Sequence, residues 1–128
     1  MSSSGAIKSY RDLLVWQRGM ELAKLIYRMT KTFPDDEKFG LTSQMRRAVV
    51  SIPSNIAEAQ ARRSTKEFAQ FLSHAEGSVA ELDTQLILST EFGYCNSKEV
   101  EAASALISVL QKMLSSLRHK LTETWRQT

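Results

Sequence analysis

The side chains that could carry out chemistry in this sequence are two histidines, one cysteine and a few acidic residues. His74 and His119 are far apart, and neither has a second histidine or a cysteine at metal-ligand spacing. Cys95 has no histidine close to it in sequence that could act as its base. Glu76 and Asp83 share one side of a predicted helix, but the Glu-x-x-His pattern of di-metal bundles is missing. We therefore predict that the protein is not an enzyme, and we expect no cofactor, no metal and no small-molecule substrate.

Basic residues give a stronger signal, because they are unevenly distributed in a chain whose net charge is only +3. Residues 8–31 hold six basic and two acidic side chains, and residues 41–63 hold four and one. Residues 64–93, in contrast, hold one basic and five acidic side chains. A basic stripe on one side of a protein is typical of nucleic-acid binding, which would be directed at phosphates and sensitive to salt.

Two sets of basic residues are the candidates for such a surface. Lys24, Arg28 and Lys31 share one side of the first predicted helix, at spacings of four and three. Arg62 and Arg63 lie at the end of the second predicted helix. We expect both sets to contact the backbone of structured RNA or DNA, without reading bases.

The arginine pair near the start of the second helix has a different interpretation. Because the third helix is acidic, we expect Arg46 or Arg47 to form an ion pair inside the protein. The candidate partners are Glu76, Glu81 and Asp83.

Hydrophobic spacing predicts four helices, and β-branched residues do not alternate with polar ones as strands would require. Helix 1 is expected over Asp12–Thr32 and helix 2 over Leu41–Arg63. Two capping boxes, Ser64–Glu67 and Asn96–Glu99, predict where helices 3 and 4 begin. Gly93 is placed to end helix 3 in the left-handed conformation.

Apolar seams define how these helices should pack. The expected stripe of helix 1 is Trp16, Met20, Ala23 and Tyr27, flanked by Leu22, Ile26 and Met29. The heptad seam of helix 4 is Val100, Ala103, Ile107, Leu110, Leu114, Leu117 and Leu121. Short connections make neighbours antiparallel, so the predicted fold is all-α, an antiparallel up-down-up-down four-helix bundle over residues 11–122. Residues 1–10 are expected to form a flexible N-terminal tail and residues 123–128 a C-terminal tail.

Helix 2 contains a proline and has two apolar sides. Pro53 removes one backbone hydrogen bond and clashes with the carbonyl of Val49, at a cost of roughly 3 kcal/mol, so we expect a bend. One apolar side belongs to the core seam. The other flank carries Arg46, Val50, Pro53 and Ala57. The core of a single chain does not need this second strip, so we predict that it forms an oligomer interface.

The sequence carries no signal for secretion or membrane insertion. Its first residues, MSSSGAIKSY, are polar, and no window is apolar over the length that spans a bilayer. Cys95 is the only cysteine, so no disulfide within the chain is possible. We expect a cytoplasmic protein that does not contact a membrane.

Three segments resemble the four-helix-bundle proteins that are encoded in intervening sequences of 23S ribosomal RNA and are sometimes grouped with ribosomal proteins. The matching segments are YRDLLVWQRGMELAKLIY, FGLTSQMRRAVVSIPSNIAEAQAR and EFAQFLSHAEGSVAELDTQL, followed by FGY. They cover nearly all of the chain from Tyr10 to Tyr94, and the helix 2 segment is specific. Helix 4 matches only in its hydrophobic pattern.

The resemblance implies an antiparallel four-helix bundle that assembles as a homopentameric ring with a basic, RNA-binding surface. Relatives include accessory proteins of diversity-generating retroelements, which bring nucleic acid to a reverse transcriptase. A cyclic ring needs two different contact patches per subunit, which suits the two apolar sides of helix 2. In one departure, Ala59 stands where the family usually has glycine, so we expect helix 2 to continue toward Arg63.

Two hypotheses about function follow from these observations. The leading one is a non-enzymatic, ring-forming homo-oligomer that binds RNA or DNA backbone through its basic face. The alternative is a protein-interaction scaffold that recruits another protein, with the arginines mainly structural. Salt-sensitive binding to RNA would favour the first, and a partner that survives nuclease treatment would favour the second.

Overall fold

A computed structural model describes residues 9–127 of the chain, with side chains described for residues 9–121. The four α-helices are α1 (Leu14–Thr30), α2 (Leu41–Gln60), α3 (Thr65–Glu91) and α4 (Ser97–Gln127). Short 3-10 helices cover Tyr10–Asp12 and Asp35–Glu37. The described residues contain no strand, so the all-α prediction is confirmed.

The helices pack as a four-membered bundle. Each helix packs against the next one in the chain, and α4 packs back against α1, whereas the backbones of the diagonal pairs lie further apart, with no Cα atoms within 8 Å among the described residues. Gly19 of α1 lies against Pro53 of α2, and Thr30 further along α1 bonds Arg46, which precedes Pro53. These two helices therefore run in opposite directions. The pattern is that of an antiparallel up-down-up-down bundle.

Apolar side chains from all four helices fill the centre of the bundle. The largest fully buried side chains are Leu22, Ile26, Met29, Met45, Val49, Ile52, Ile56, Leu72, Leu82, Leu86, Leu110 and Leu114. The predicted seam of α4 is confirmed, because four of its members are buried and Val100, Leu117 and Leu121 pack against the core.

The predicted stripe of α1 is wrong by one position along the helix. The buried side of α1 comprises Val15, Gly19, Leu22, Ile26, Met29 and Thr30. Trp16, Met20 and Ala23 are half-buried on the flank, and Tyr27 is exposed. The reason is Gly19, whose missing side chain allows this face of α1 to approach α2 closely.

Pro53 lies inside α2 without interrupting the helix. The Asn55 amide donates to the backbone carbonyl of Ser51 at 2.8 Å, which adds a bond in the turn where proline has no donor. A Cβ placed on Gly19 would lie 3.4 Å from the Pro53 Cδ, so glycine and proline form a close helix crossing. Pro53 is buried in the single chain, which corrects the prediction that its own core has no need of it.

The helix ends follow local signals, with two differences from the prediction. Gly93 has a φ of +79° and Tyr94 N–H donates to the Ser89 carbonyl at 2.9 Å, which closes α3. α2 ends at Gln60 and does not continue to Arg63, because α3 begins only a few residues later and Ala59 is taken up in the core.

α3 and α4 begin at the two predicted caps, and at each the side chain of the cap residue makes the predicted bond, while the described residues include no bond from the cap backbone N–H to the glutamate of the predicted capping box. The Ser64 hydroxyl accepts a hydrogen bond from the Glu67 amide, and Asn96 caps α4 by accepting from the Glu99 amide at 2.9 Å. The α4 backbone continues to Gln127, past residue 122, where the bundle was predicted to end. Of the predicted N-terminal tail, residues 1–8 lie outside the described residues.

Candidate nucleic-acid interface

One carboxylate holds the segment between α1 and α2 in place. Glu37 accepts a hydrogen bond from the Leu41 backbone N–H at 3.0 Å, which caps α2. Its second oxygen accepts from the Tyr94 hydroxyl at 2.9 Å, which ties the segment to the connection between α3 and α4. The bond from the Leu41 amide, followed by that from Tyr94, lowers the pKa of Glu37. The bond to Glu37 raises the pKa of Tyr94.

Lys38, Phe39 and Gly40 form the turn that this carboxylate fixes. A Cβ on Gly40 would lie 2.8 Å from the Glu37 Oε1, so glycine leaves the space that the capping carboxylate occupies. The Phe39 side chain is 90% exposed, the most of any large apolar side chain in the described part of the chain. The Lys38 Nζ lies 5.5 Å from the centroid of the Phe39 ring. An aromatic ring and a cation therefore project together from the end of the bundle.

Arg46 is fixed by the end of α1. Its Nε donates to the Thr30 hydroxyl at 2.9 Å, and an Nη donates to the Tyr27 carbonyl at 3.3 Å. The guanidinium carbon lies 4.6 Å from the centroid of the Tyr27 ring. A cation at the end of a helix satisfies carbonyls that have no partner within the helix and interacts favourably with the helix dipole.

This arrangement corrects the expected ion pairs of the arginine pair. Arg46 bonds the last turn of α1, not an acidic residue of α3. Glu76, one of the expected partners, forms its ion pair with Arg118 of α4. Arg47 is exposed and makes no ion pair with the described residues. Its charge is therefore available at the surface.

A groove of about 600 Å³ opens between α1 and the start of α2, and we call it the basic groove. It is lined by Tyr27, Lys38, Phe39, Thr42, Ser43, Arg46, Arg47 and Val50. Three cations, two aromatic rings and two hydroxyl groups thus share one surface. Cations and hydroxyls are the side-chain groups that contact nucleic-acid phosphates, and aromatic rings are those on which bases stack.

The predicted basic residues fall into two separate places. Lys24, Arg28 and Lys31 are exposed, and none of them is among the side chains that line the basic groove. Lys24 and Lys31 lie one helical turn before and after Tyr27, which does line it. Arg62 lies nine residues beyond Pro53, at the other end of the bundle. With 1.5 Å of rise per residue, Arg62 and Lys24 are about 20 Å apart along the bundle.

Arg62 is also engaged within the chain. It forms an ion pair with Glu58 at 3.1 Å and lies 5.1 Å from the centroid of the Phe71 ring. Arg63 next to it is exposed. Lys24 and Lys31 therefore lie one helical turn from a lining residue of the basic groove, whereas the second set lies at the other end of the bundle.

A sequence profile described as "23S rRNA-intervening sequence protein" matches residues 11–116 of this chain. The chain belongs to this family. The match confirms the resemblance seen in the sequence, and it covers the basic groove and most of α4.

A solved structure gives an independent comparison for this 23S rRNA-intervening sequence protein. It is the crystal structure of a protein with unknown function from the S23 ribosomal protein family of Bacteroides thetaiotaomicron VPI-5482. It shares 24% sequence identity with a TM-score of 0.76, and the match covers 82% of this chain and 98% of that one. At this identity the comparison supports the fold. No protein with a curated description matches the sequence.

A second groove of about 370 Å³ follows the basic groove along α1 and α2, and we call it the apolar groove. It is lined by Tyr10, Trp16, Met20, Ala23, Val50, Pro53, Ser54 and Ala57. Val50, which is 44% exposed, borders both grooves. The predicted interface strip is therefore divided, because Arg46 lies in the basic groove while Pro53 and Ala57 lie in the apolar one.

The side chains first considered for chemistry do not come together. Within the described residues, no group of three or more His, Cys, Asp or Glu could hold a metal ion. Cys95 is half-buried, and burial raises the pKa of its thiol. His74 is exposed beside the Phe71 ring, at a centroid distance of 5.5 Å. None of the described helices is apolar over a length sufficient to span a bilayer.

Lys38 and Phe39 are the site residues that the sequence-based reasoning missed. They lie between two predicted helices, where neither hydrophobic period nor helical charge spacing applies. The available signal was a phenylalanine next to a lysine in a short polar connection, because a phenylalanine there belongs to no apolar helix stripe that would bury it.

Proposed function

We propose that this protein is a non-enzymatic, cytoplasmic homo-oligomer that binds nucleic-acid backbone through the basic groove. The observation that carries the proposal is the convergence of Lys38, Arg46 and Arg47 on one surface beside two aromatic rings. Arg47 and Lys38 are exposed, so their charges are available to phosphates. Binding of this kind releases counterions and therefore depends steeply on salt.

The family relationship supports an RNA ligand. The family takes its description from intervening sequences of 23S rRNA, and the same region of the chain that matches it contains the basic groove. Structured RNA is accordingly the first ligand to test, with DNA as the comparison.

The apolar groove supports self-association in a ring, for which the resemblance suggests five subunits. A closed ring uses two different patches on each subunit. The apolar groove supplies one such patch, because it exposes parts of Trp16, Met20 and Val50 on a continuous surface. Apolar and aromatic side chains of this kind are common at the centres of protein interfaces.

Binding is tested by fluorescence anisotropy with a labelled RNA hairpin at about 50 and 200 mM salt. The double variant Lys38→Gln/Arg47→Gln should weaken binding about tenfold at low salt and lower the salt slope by about two, one for each lost phosphate contact. A charge-matched control, Lys98→Gln/Lys112→Gln, alters two exposed lysines of α4 outside the groove. An affinity that is equal at both salt concentrations, or equal losses in both variants, would overturn the proposal.

The same assay separates the two predicted basic sets. Replacing Lys24, Arg28 and Lys31 by Gln should weaken binding, because these exposed cations lie on the same helix as Tyr27, which lines the groove. Replacing Arg62 and Arg63 by Gln should have a smaller effect, because Arg62 is paired with Glu58 and lies at the other end of the bundle.

A protein-interaction scaffold is the second candidate. The observation in its favour is that Arg46, Arg62 and Arg118 each bond to groups within the chain, so part of the basic character is structural. Affinity purification with and without nuclease distinguishes the two functions. A protein partner that remains bound in equal amount after nuclease treatment supports the scaffold.

A further inference from the structure

The most exposed large apolar side chain of the described chain lies at the basic groove, which needs an explanation that backbone binding alone does not give. Phe39 is 90% exposed, whereas the neighbouring Leu41 is buried in the core. The turn that carries Phe39 is fixed by the two hydrogen bonds of Glu37. The ring is therefore presented to solvent by a segment held in place by hydrogen bonds, with Lys38 beside one face and the rest of the ring available for stacking.

Cations line the same groove as this ring and could hold the phosphates that flank a stacked base. The Lys38 Nζ lies 5.5 Å from the centroid of Phe39, and Arg47 of α2 lines the same groove. The Arg46 guanidinium lies 4.6 Å from the centroid of the Tyr27 ring, which forms a second flat surface in the same groove. Aromatic rings and guanidinium planes are the groups on which proteins stack unpaired bases.

A duplex does not use such a surface. In double-stranded RNA or DNA the bases stack on one another, so a protein meets phosphates, sugars and base edges but not base faces. Phe39 would then remain exposed beside the backbone, while the cations alone would contribute. The combination of an exposed ring with cations in the same groove fits a strand whose bases are unpaired.

We infer that the basic groove recognises unpaired nucleotides, with one base stacked on Phe39 and its flanking phosphates held by Lys38 and Arg47. This inference rests on the proposed backbone binding and specifies its ligand class. Single strands, loops and bulges of RNA carry such nucleotides, and so does single-stranded DNA. The chemistry is the same in each, and the experiment compares the sources.

The test measures the affinity of the full chain for four labelled probes of equal length. These are an oligouridylate, an oligothymidylate, a blunt RNA duplex and an abasic DNA strand that keeps the phosphates but lacks bases. We expect the two strands with bases to bind about tenfold more tightly than the abasic strand, and more tightly than the duplex. Tighter binding of the uridylate than of the thymidylate assigns the ligand to RNA, and the reverse order assigns it to DNA.

Variants of Phe39 connect this preference to one ring. Phe39→Ala should weaken binding of the single strand about tenfold without changing the salt slope or the affinity for the duplex, and Phe39→Trp should restore the preference. Phe92→Ala is the matched control, because Phe92 is 56% exposed at the end of α3 and does not line the groove. A salt slope that is unchanged distinguishes loss of stacking from loss of charge.

Three results would overturn the inference. Equal binding of strand, duplex and abasic probe, together with no effect of Phe39→Ala, would leave backbone binding standing and remove the stacking role. Loss of assembly by Phe39→Ala in light scattering, with probe preference unchanged, would assign the ring to a protein contact. Failure of every probe to bind at low salt would remove the proposed function itself.

Discussion

The two grooves on the α1–α2 side of the bundle share Val50 but are held in place by different forces. The basic groove depends on directional bonds, in which Glu37 caps α2 and Arg46 bonds the last turn of α1. The apolar groove depends on close packing, because Gly19 faces Pro53 where the helices cross. One groove is thus specified by a few polar atoms and the other by side-chain volume.

This difference indicates how each groove should respond to change. Hydrogen bonds to charged groups respond to protonation and to the loss of single side chains. Packing responds to volume and to polarity at the contact. We therefore expect variants that affect one groove to leave the other intact, and the proposed roles of the two grooves can be tested separately.

The largest effect is expected at Val50, if the apolar groove joins subunits. A neutral polar change, Val50→Asn, should raise the concentration at which the assembly dissociates about tenfold, because it places an unsatisfied amide in an apolar contact. Multi-angle light scattering over a dilution series measures this. The nucleic-acid affinity at low salt should change little, because no charge of the basic groove is altered.

Val109→Asn is the matched control for this prediction. Val109 is 41% exposed, close to the 44% of Val50, but it lies on α4 away from both grooves. Dissociation by both variants alike, or a wild-type chain that is monomeric at micromolar concentration, would contradict the assignment of the interface to the apolar groove.

A smaller effect on stability is expected from the arginine pair. Arg46→Ala removes two hydrogen bonds from the end of α1 and should lower the free energy of unfolding by about 1–2 kcal/mol. Arg47→Ala should change it by no more than about 0.5 kcal/mol, since this side chain is exposed and unpaired within the described residues. Urea unfolding followed by circular dichroism measures both.

For RNA binding, we expect the larger effect from the other arginine of the pair, Arg47. Arg47→Ala should reduce RNA affinity at low salt more than Arg46→Ala does, because the Arg46 guanidinium is already bonded to Thr30 and Tyr27. Equal effects of the two substitutions on unfolding would show that the bonds of Arg46 do not hold the basic groove.

Much of the fold was predictable because its signals are local. The capping residues Ser64 and Asn96 and the left-handed Gly93 act within a few residues, and all three were found in sequence. The α4 seam was also found, because all of its members are apolar residues at heptad spacing and hydrophobic periodicity detects such residues.

The α1 seam was misplaced for a physical reason. The buried positions Val15, Gly19, Leu22, Ile26 and Met29 recur at steps of four, three, four and three. Glycine has no side chain, so it adds nothing to a hydrophobic periodicity. The neighbouring series that begins at Trp16 therefore gives the stronger hydrophobic signal. Only the opposing Pro53 explains why a glycine is suited to that crossing.

The candidate site was less predictable because it depends on distant partners. Glu37 and Tyr94 are 57 residues apart in sequence, and their bond fixes the turn that presents Lys38 and Phe39. The spacing of residues within one helix cannot predict a hydrogen bond between residues so far apart in sequence. Helical spacing placed Lys24, Arg28 and Lys31 on one helix face, but it could not show that the groove beside them is lined by Lys38, Arg46 and Arg47 instead.

The smallest expected effect is the contribution of Glu37 to the pH dependence of stability. Its hydrogen bonds lower its pKa below the ordinary value of 4.5. The folded chain therefore holds this proton less tightly than the unfolded chain does. The resulting stabilisation is fully present above the ordinary pKa and is lost as the pH falls through the folded one. Between about pH 5 and pH 3, the free energy of unfolding should fall less steeply for Glu37→Gln than for the wild type.

Tyr94→Phe separates the two bonds of Glu37. It removes the bond from the phenol and keeps the cap on Leu41, so the acid dependence should lie between those of the wild type and Glu37→Gln. Tyr94 itself has a raised pKa, so its contribution is present below pH 10 and is lost as the pH rises through the folded value. Urea unfolding midpoints across the pH range measure both the acid and the alkaline loss of stability. Glu91→Gln serves as the control for an exposed carboxylate. If the stability of the wild type falls with acid no more steeply than that of Glu37→Gln, then packing, and not this carboxylate, holds the basic groove. That result would remove the contrast between the two grooves.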